Sequence, residues 1–229
     1  MFKTIKENAS AEIVEKKSKF IANIFYVETR EEAEGIIKNM NKKYHDARHN
    51  CYAYRIYNES GIIEKSSDDG EPSGTAGAPI LNILAKGNIV NVLVIVTRYF
   101  GGILLGTGGL VKAYSEACNK ALQISKIINI ESGYLYKIIL QYKEIGRFKH
   151  FCDLNTINIT KESYLENIEL NVELTNEKIK LIEKCNNIEF ETIKIEKIKK
   201  VFIYKAWVVG VFGIIWKNFQ KRLANYKKT

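Results

Sequence analysis

Residues 89–96 read IVNVLVIV, an apolar run of strand length broken by one asparagine. A run that apolar, rich in β-branched residues, predicts a central strand buried on both faces. The pattern upstream is mixed. Residues 11–27 combine apolar and charged positions and end in FIANIFYV, which predicts one long strand. Thr29 and Glu32 form a T-x-x-E capping box, and Ala33, Ile36, Ile37 and Met40 follow at helical spacing, so a helix is expected over 30–43 despite Gly35. CYAYRIY (51–57) reads as a strand, with GIIEK as its hairpin partner across NESG. SSDDGEPSGTAGAP (66–79) is a polar loop of turn formers with a short helix expected after Pro79. Downstream, Leu110, Ala113, Tyr114, Ala117, Cys118, Ala121 and Leu122 mark one face of a helix over 109–123.

Near residue 130 the pattern restarts. YLYKIILQY predicts a strand, KEIGRFKHFCDL a helix, TINIT and LENIELNVEL two strands, NEKIKLIEKC a helix and IEFETIKIEKI a last strand. The order βαββαβ is the ferredoxin-like pattern. The expected division is therefore 1–130, a first α+β domain; 131–200, a ferredoxin-like domain; and 201–229, an apolar then basic tail.

Charge changes this picture less than its size suggests. The net charge is +9, but nine of the 35 Lys and Arg residues lie in 197–229, which holds no acid, and residues 1–196 balance to zero. A basic face on the body is not implied. The N-terminal residues lack the apolar core of a signal peptide, which points to the cytoplasm. Four cysteines contain no C-x-x-C pair, so a zinc ribbon and a dithiol redox motif are both excluded.

Candidate chemistry falls in three stretches. RYFGGILLGTGGL (98–110) has five glycines in thirteen residues, between a strand and a helix. A P-loop fails because Thr107 stands where lysine is required, and a dinucleotide fingerprint fails at Val111. What remains is a glycine turn at a helix N-terminus, which either binds an anion or only permits tight packing, with Thr107 as cap. At least one of Gly101, Gly106 and Gly108 is expected at positive φ. The second stretch groups Asp68, Asp69 and Glu71, as a metal or acid/base cluster or as a self-bonded turn. These carboxylates are expected within about 10 Å of the 109–123 helix N-terminus, whose dipole favours them. The third, HDARHNC, offers His45, His49 and Cys51, more suited to ordering a loop than to holding zinc. No metal site and no cofactor are assigned, and no nucleophile constellation stands out.

DARHNCYAYR, SDDGEPSGTAGAP and RYFGGILLGTGGLVKAYSEA together resemble the signatures of the IMPACT/YigZ family, over nearly all of residues 10–125. YKEIG and YLENIEL resemble its accessory domain less specifically. The resemblance implies a first domain like the α+β sandwich shared by a small-subunit ribosomal protein and domain IV of elongation factor G, followed by a ferredoxin-like domain. It also implies translational control, in which eukaryotic relatives compete for the activator of a starvation-sensing kinase. The family motif falls on Arg98, Tyr99, Gly101, Gly102, Gly106, Thr107, Gly108, Gly109 and Lys112 as a ligand surface. His49, Asp68, Asp69, Glu71 and Thr75 form the associated loop.

Three functions are open at this point. The first is a non-enzymatic binding module in which Arg98, Lys112 and the helix N-terminus take phosphates and Tyr99 and Phe100 stack on a base, with RNA or a ribosome-associated protein as partner. The second is a phosphotransferase-like enzyme holding Mg²⁺ on Asp68 or Asp69 beside the glycine turn. The third is a protein-interaction platform. The tail departs from the family pattern. Its uninterrupted apolar run, 206–216, is too short to span a bilayer, which leaves docking onto the body or onto a partner chain in a homo-oligomer, or shallow insertion at an anionic membrane surface.

Overall fold

The apolar run supplies β6 (Val92–Tyr99), the middle of a five-stranded antiparallel sheet. The computed structural model describes residues 2–58, 60–185, 190 and 193–204. β3 (Ser18–Tyr26) and β4 (His49–Asn58) flank β6, and β2 (Ala9–Glu15) and β5 (Gly61–Ser67) close the edges, in the order β2-β3-β6-β4-β5. β6 sends Val92, Val94 and Val96 to one face, into a core shared with α2 (Gly77–Lys86) and α3 (Gly106–Ser125). Leu93 and Ile95 point the other way, toward α1 (Arg30–Lys43). Helices on both faces explain why β6 shows no polar alternation.

The two amphipathic helices follow their sequence patterns. α1 spans the expected residues, and the Glu32 amide donates to Thr29 Oγ1 at 3.1 Å. The Glu32 carboxylate closes the box on the Glu28 amide, one residue before the cap. α3 buries the seven residues its spacing singled out.

Three boundaries differ from expectation. The single strand over 11–27 is a hairpin, β2 and β3, turning at Lys16–Lys17 with Glu15 opposite Ser18. Both lysines have positive φ, 45° and 65°, the mirror-image turn that matches strand twist. No glycine, asparagine or proline marks it, so the alternation reads straight through. α2 begins at Gly77, two residues before Pro79, because the first helical amides need no intrahelical acceptor and a proline is tolerated there. α3 begins at Gly106, so Thr107, Gly108 and Gly109 form its first turn.

The second half holds β7 (Ile127–Leu140), a 3-10 turn (Tyr142–Glu144), α4 (Ile145–Leu154), β8 (Asn158–Tyr164), β9 (Ile168–Thr175), α5 (Asn176–Cys185) and β10 (Lys194–Tyr204). The sheet order β8-β9-β7-β10 with antiparallel pairing is the ferredoxin-like arrangement. Its core packs Ile138, Leu170 and Val172 against Phe148, Ile182 and Phe190. β10 continues four residues past Lys200, because Val201 to Tyr204 go on pairing with β7. The rest of the tail lies outside the described residues. The α+β class with two sheets is thus established.

β1 (Phe2–Ile5) joins the two sheets. One edge pairs with β7, where Phe2 and Tyr204 meet Ile130 from opposite sides. The other edge bonds the first sheet's approach to β6: Lys3 N donates to Asn88 O and Val90 N to Lys3 O, both 2.9 Å. Ile5 is buried in the core under α3. Beside this seam Tyr57 packs between Phe2 and Phe202 and accepts a 2.6 Å bond from Lys200 Nζ.

Ile5→Ala is expected to cost about 2–4 kcal/mol in urea denaturation, the range for emptying a buried aliphatic site. Amides of β6 should also exchange faster with solvent. Unchanged β6 exchange would show that β1 serves the second sheet alone.

Candidate functional site

The register of the first sheet sets His49 opposite Arg98, at the end where β4 begins and β6 ends. The polar loop 68–76 folds over this end, and α3 passes beneath it. Glu71 occupies the middle. Its Oε1 accepts from Arg98 Nη1 at 2.6 Å and from the Tyr114 hydroxyl at 2.8 Å, with His49 Nε2 at 3.9 Å. The Glu71 and Arg98 side chains are 3% and 6% exposed, so each charge depends on the other for its solvation. The Arg98 guanidinium also lies 5.4 Å from the Phe20 ring and 5.6 Å from Phe100. Arg98 Nε has no hydrogen-bond partner among the described residues.

Cys51 completes the network from β4. Its thiol donates to Asp68 O at 2.9 Å and lies 3.3 Å from the Tyr114 hydroxyl. Burial, with nearby Glu71, Asp69 and Asp68, pushes this thiol up to about 12, so it stays protonated and is not a nucleophile. Burial likewise raises the Tyr114 hydroxyl, assisted by Cys51 and Glu71, and keeps it a donor.

The other two carboxylates hold backbone. Asp68 Oδ1 accepts from the amides of Ala76 and Gly77 at 3.0 and 2.8 Å, and Oδ2 from Gly74 at 2.8 Å. Asp68 therefore caps α2, whose own cap position, Ala76, has no side-chain acceptor. Partial burial works against its charge, but the three amides outweigh it and hold this carboxyl below the usual range. Asp69 Oδ2 accepts from the Asn50 amide at 2.6 Å, and Asp69 O bonds His49 Nδ1 at 2.7 Å. Thr75 Oγ1 donates back to Pro72 O. The loop is thus closed on itself and on β4.

The hydrogen bonds of these carboxylates go to other elements than the first turn of α3. Asp68 serves α2, and Glu71 reaches α3 at Tyr114, eight residues past its first. Among the described residues no group of three His, Cys, Asp or Glu side chains could hold a metal ion. Asp68 accepts two amides on Oδ1 and one on Oδ2, and Asp69 Oδ2 accepts a fourth, so both carboxylates considered for Mg²⁺ are engaged by backbone. Arg98, expected to take a phosphate, is committed to Glu71. His45 Nδ1 lies 3.2 Å from Lys42 O, on the C-terminal end of α1.

The glycine turn has a different character. Gly101 donates to Ser18 Oγ at 3.1 Å, and a Cβ there would overlap the Lys17 carbonyl, so glycine is required for close approach. Gly102 and Gly106 have φ of +86° and +72°, which meets the expectation of a left-handed glycine. Gly108 has neither constraint. Thr107 is not the cap; Leu105 holds that position and makes no side-chain cap bond. Gly102, Thr107, Gly108 and Lys112 are exposed, and Gly109 packs near Leu105. Tyr99 directs its hydroxyl to Asp46 at 2.8 Å. The predicted residues thus divide into a buried network (His49, Glu71, Arg98) under a braced loop (Asp68, Asp69, Thr75) and an exposed turn (Gly102 to Lys112). Cys51 and Tyr114 were not assigned to the network from sequence, since an apolar helix face and a strand pattern explain both.

Residues 16–122 match the Impact N-terminal domain. IMPACT family member YvyE of Bacillus subtilis (strain 168) is 37% identical over 166 residues, 72% of this chain and 76% of that protein. IMPACT family member YigZ of Escherichia coli (strain K12) is 42% identical over 113 residues, 47% and 53% of the two chains. The fold is that of an α+β protein, and residues 16–122 carry its Impact N-terminal domain; the chain belongs to the IMPACT/YigZ family. Protein IMPACT of Oryctolagus cuniculus is 41% identical over 98 residues, 41% of this chain and 30% of that protein. The crystal structure of a hypothetical protein, 27% identical, covers 86% of this chain and 97% of its own with a TM-score of 0.59.

Glu71→Ala leaves Arg98 buried and uncompensated, and a loss of about 3–5 kcal/mol is expected in chemical denaturation. The low Asp68 pKa favours the folded state above the ordinary aspartate value, about 3.9. That contribution disappears as the pH falls through the lower folded-state value. Asp68→Asn should therefore destabilise the protein at pH 7 and flatten the loss of stability of the parent on acidification. A parallel pair of pH–stability curves would refute the capping role.

Proposed function

We propose that this chain is a non-enzymatic binding protein of the cytoplasm that regulates translation by contacting RNA or a ribosome-associated protein. The carrying observation is that its clustered ionisable groups are spent on structure. Glu71 and Arg98 neutralise each other, Asp68 and Asp69 hold backbone amides, and Cys51 is kept protonated. Each of these groups answers a partner inside the protein. The exposed glycine turn beside this network carries apolar and basic side chains instead, the makeup of a contact surface. Family membership and the translational role it implies support the same reading. The phosphotransferase-like alternative is less well supported, because Asp68 and Asp69 both accept from backbone amides of the fold.

Full-length protein is expected to co-sediment with crude ribosomes and to change the output of a cell-free translation reaction. If RNA is the partner, affinity should fall about tenfold or more between 50 and 200 mM salt. If a ribosome-associated protein is the partner, a high-salt wash of the ribosomes should remove binding. No co-sedimentation and no effect on translation would overturn the reading.

A further inference from the structure

Past Gly101 the chain leaves the sheet and makes a short tip before α3. Leu104 is 82% exposed and Ile103 43%. The base beneath them is fixed. Gly101 lies against the Lys17 carbonyl and donates to Ser18, while Leu105 packs into the core under α3. Left-handed glycines, Gly102 and Gly106, bound the tip on both sides. Two aliphatic side chains are therefore held out from a braced support, and their exposure gains nothing for the fold.

Cations surround this support. Lys16 and Lys17 form the turn that touches Gly101, Arg48 stands 5.4 Å from the Phe100 ring, and Lys112 is exposed on the second turn of α3. None of the four is ion-paired among the described residues. Of the neighbouring acids, Asp46 accepts from the Tyr99 hydroxyl, Glu15 precedes Lys16 in the hairpin, and Glu116 lies one turn past Lys112 on α3. Lys16 and Lys17 also hold left-handed backbone, which disfavours any residue with a Cβ. Asn-Gly is the low-strain sequence for that turn. Local strain retained beside an exposed tip is the kind of outlier that marks a functional position.

We propose that Ile103 and Leu104 are the anchor of a protein–protein contact and insert into an apolar pocket bordered by carboxylates on a ribosome-associated protein, with Lys16, Lys17, Arg48 and Lys112 meeting those carboxylates. This rests on the binding function proposed above and names the chemistry of its partner. An apolar anchor seated in a pocket and ringed by polar contacts is desolvated in the way that concentrates binding energy, and preorganisation lowers the cost of binding. RNA is a poorer match. Ile103 and Leu104 offer neither a π face nor a donor, and the Phe100 ring already lies against Arg48 and Arg98. A bilayer is also a poorer match, since even one myristoyl chain holds a membrane only marginally and two side chains bury less.

The test uses the full chain and crude ribosomes as the probe. Leu104→Asp is expected to weaken co-sedimentation at least about tenfold, as loss of a hot spot does. Leu154→Asp, at a residue 70% exposed in the second domain, should leave it unchanged. The double change Lys16→Asn with Lys17→Gly should raise the melting temperature yet weaken binding about threefold or more at low salt, which separates a rim role from a folding role. A photo-reactive benzoylphenylalanine in place of Leu104 should cross-link to one protein, at a residue in an apolar pocket flanked by Asp or Glu. The signal should fall in the Lys16/Lys17 variant. A cross-link to RNA or lipid, scattered protein cross-links, or none overturns the proposal, as does wild-type binding by Leu104→Asp. In those cases co-sedimentation of the parent keeps the broader function standing. If the parent itself does not sediment with ribosomes, both fall.

Discussion

The buried pair between Glu71 and Arg98 is the constraint around which this end of the protein is organised. Neither charge has enough water to be stable alone, so the loop that carries Glu71 must lie over the end of β6. Once there, the loop supplies Asp68 to α2, receives the Cys51 thiol and the Asn50 amide from β4, and meets Tyr114 on α3. Four elements distant in sequence are fixed by one carboxylate. This accounts for the acidic residues of the loop without any ligand: they answer donors inside the protein.

The sheet beneath is ordered by a separate demand, that β6 be covered on both faces. α1 covers one face, and α2 with α3 covers the other. The site therefore sits where the cover ends, at the strand termini. There backbone leaves the sheet in tight turns and glycine becomes necessary. Gly101 lets two turns touch, and Gly102 and Gly106 set the direction of the chain on either side of Leu104. The exposed turn and the buried network share a strand, β6, but divide the labour: one fixes position and the other presents surface.

Much of this was legible in the sequence because hydrophobic period and burial have one cause. α1 and α3 bury the residues that their spacing marks, and the βαββαβ order of the second half appears in the sheet. The hairpin at Lys16–Lys17 was not legible, since lysine does not favour left-handed backbone and nothing local signals the turn. Of the site, the residue set was visible but its partition was not. Asp68, Glu71 and Arg98 look like ligand groups by residue type; Asp68 pairs six to nine residues on, but Glu71 meets Arg98 across 27 residues and Tyr114 across 43, which no local pattern encodes. Tyr114 and Cys51 look like core and are core, and they enter the network only because a carboxylate is buried beside them.

β1 bears on how the chain reaches this structure as a ribosome makes it. Its four residues bond Asn88 and Val90 on one edge and residues 127–130 of β7 on the other. Residues 2–5 are synthesised long before either partner, and Ile5 cannot enter its core until α3 exists to cover it. The pairing of β1 with β7 is the longest-range strand pairing among the described residues, so it closes only after β7 has emerged. The start of the chain is thus placed late, and its docking locks the second sheet onto the first. The same four residues serve both sheets, bonding the approach to β6 on one edge and β7 on the other.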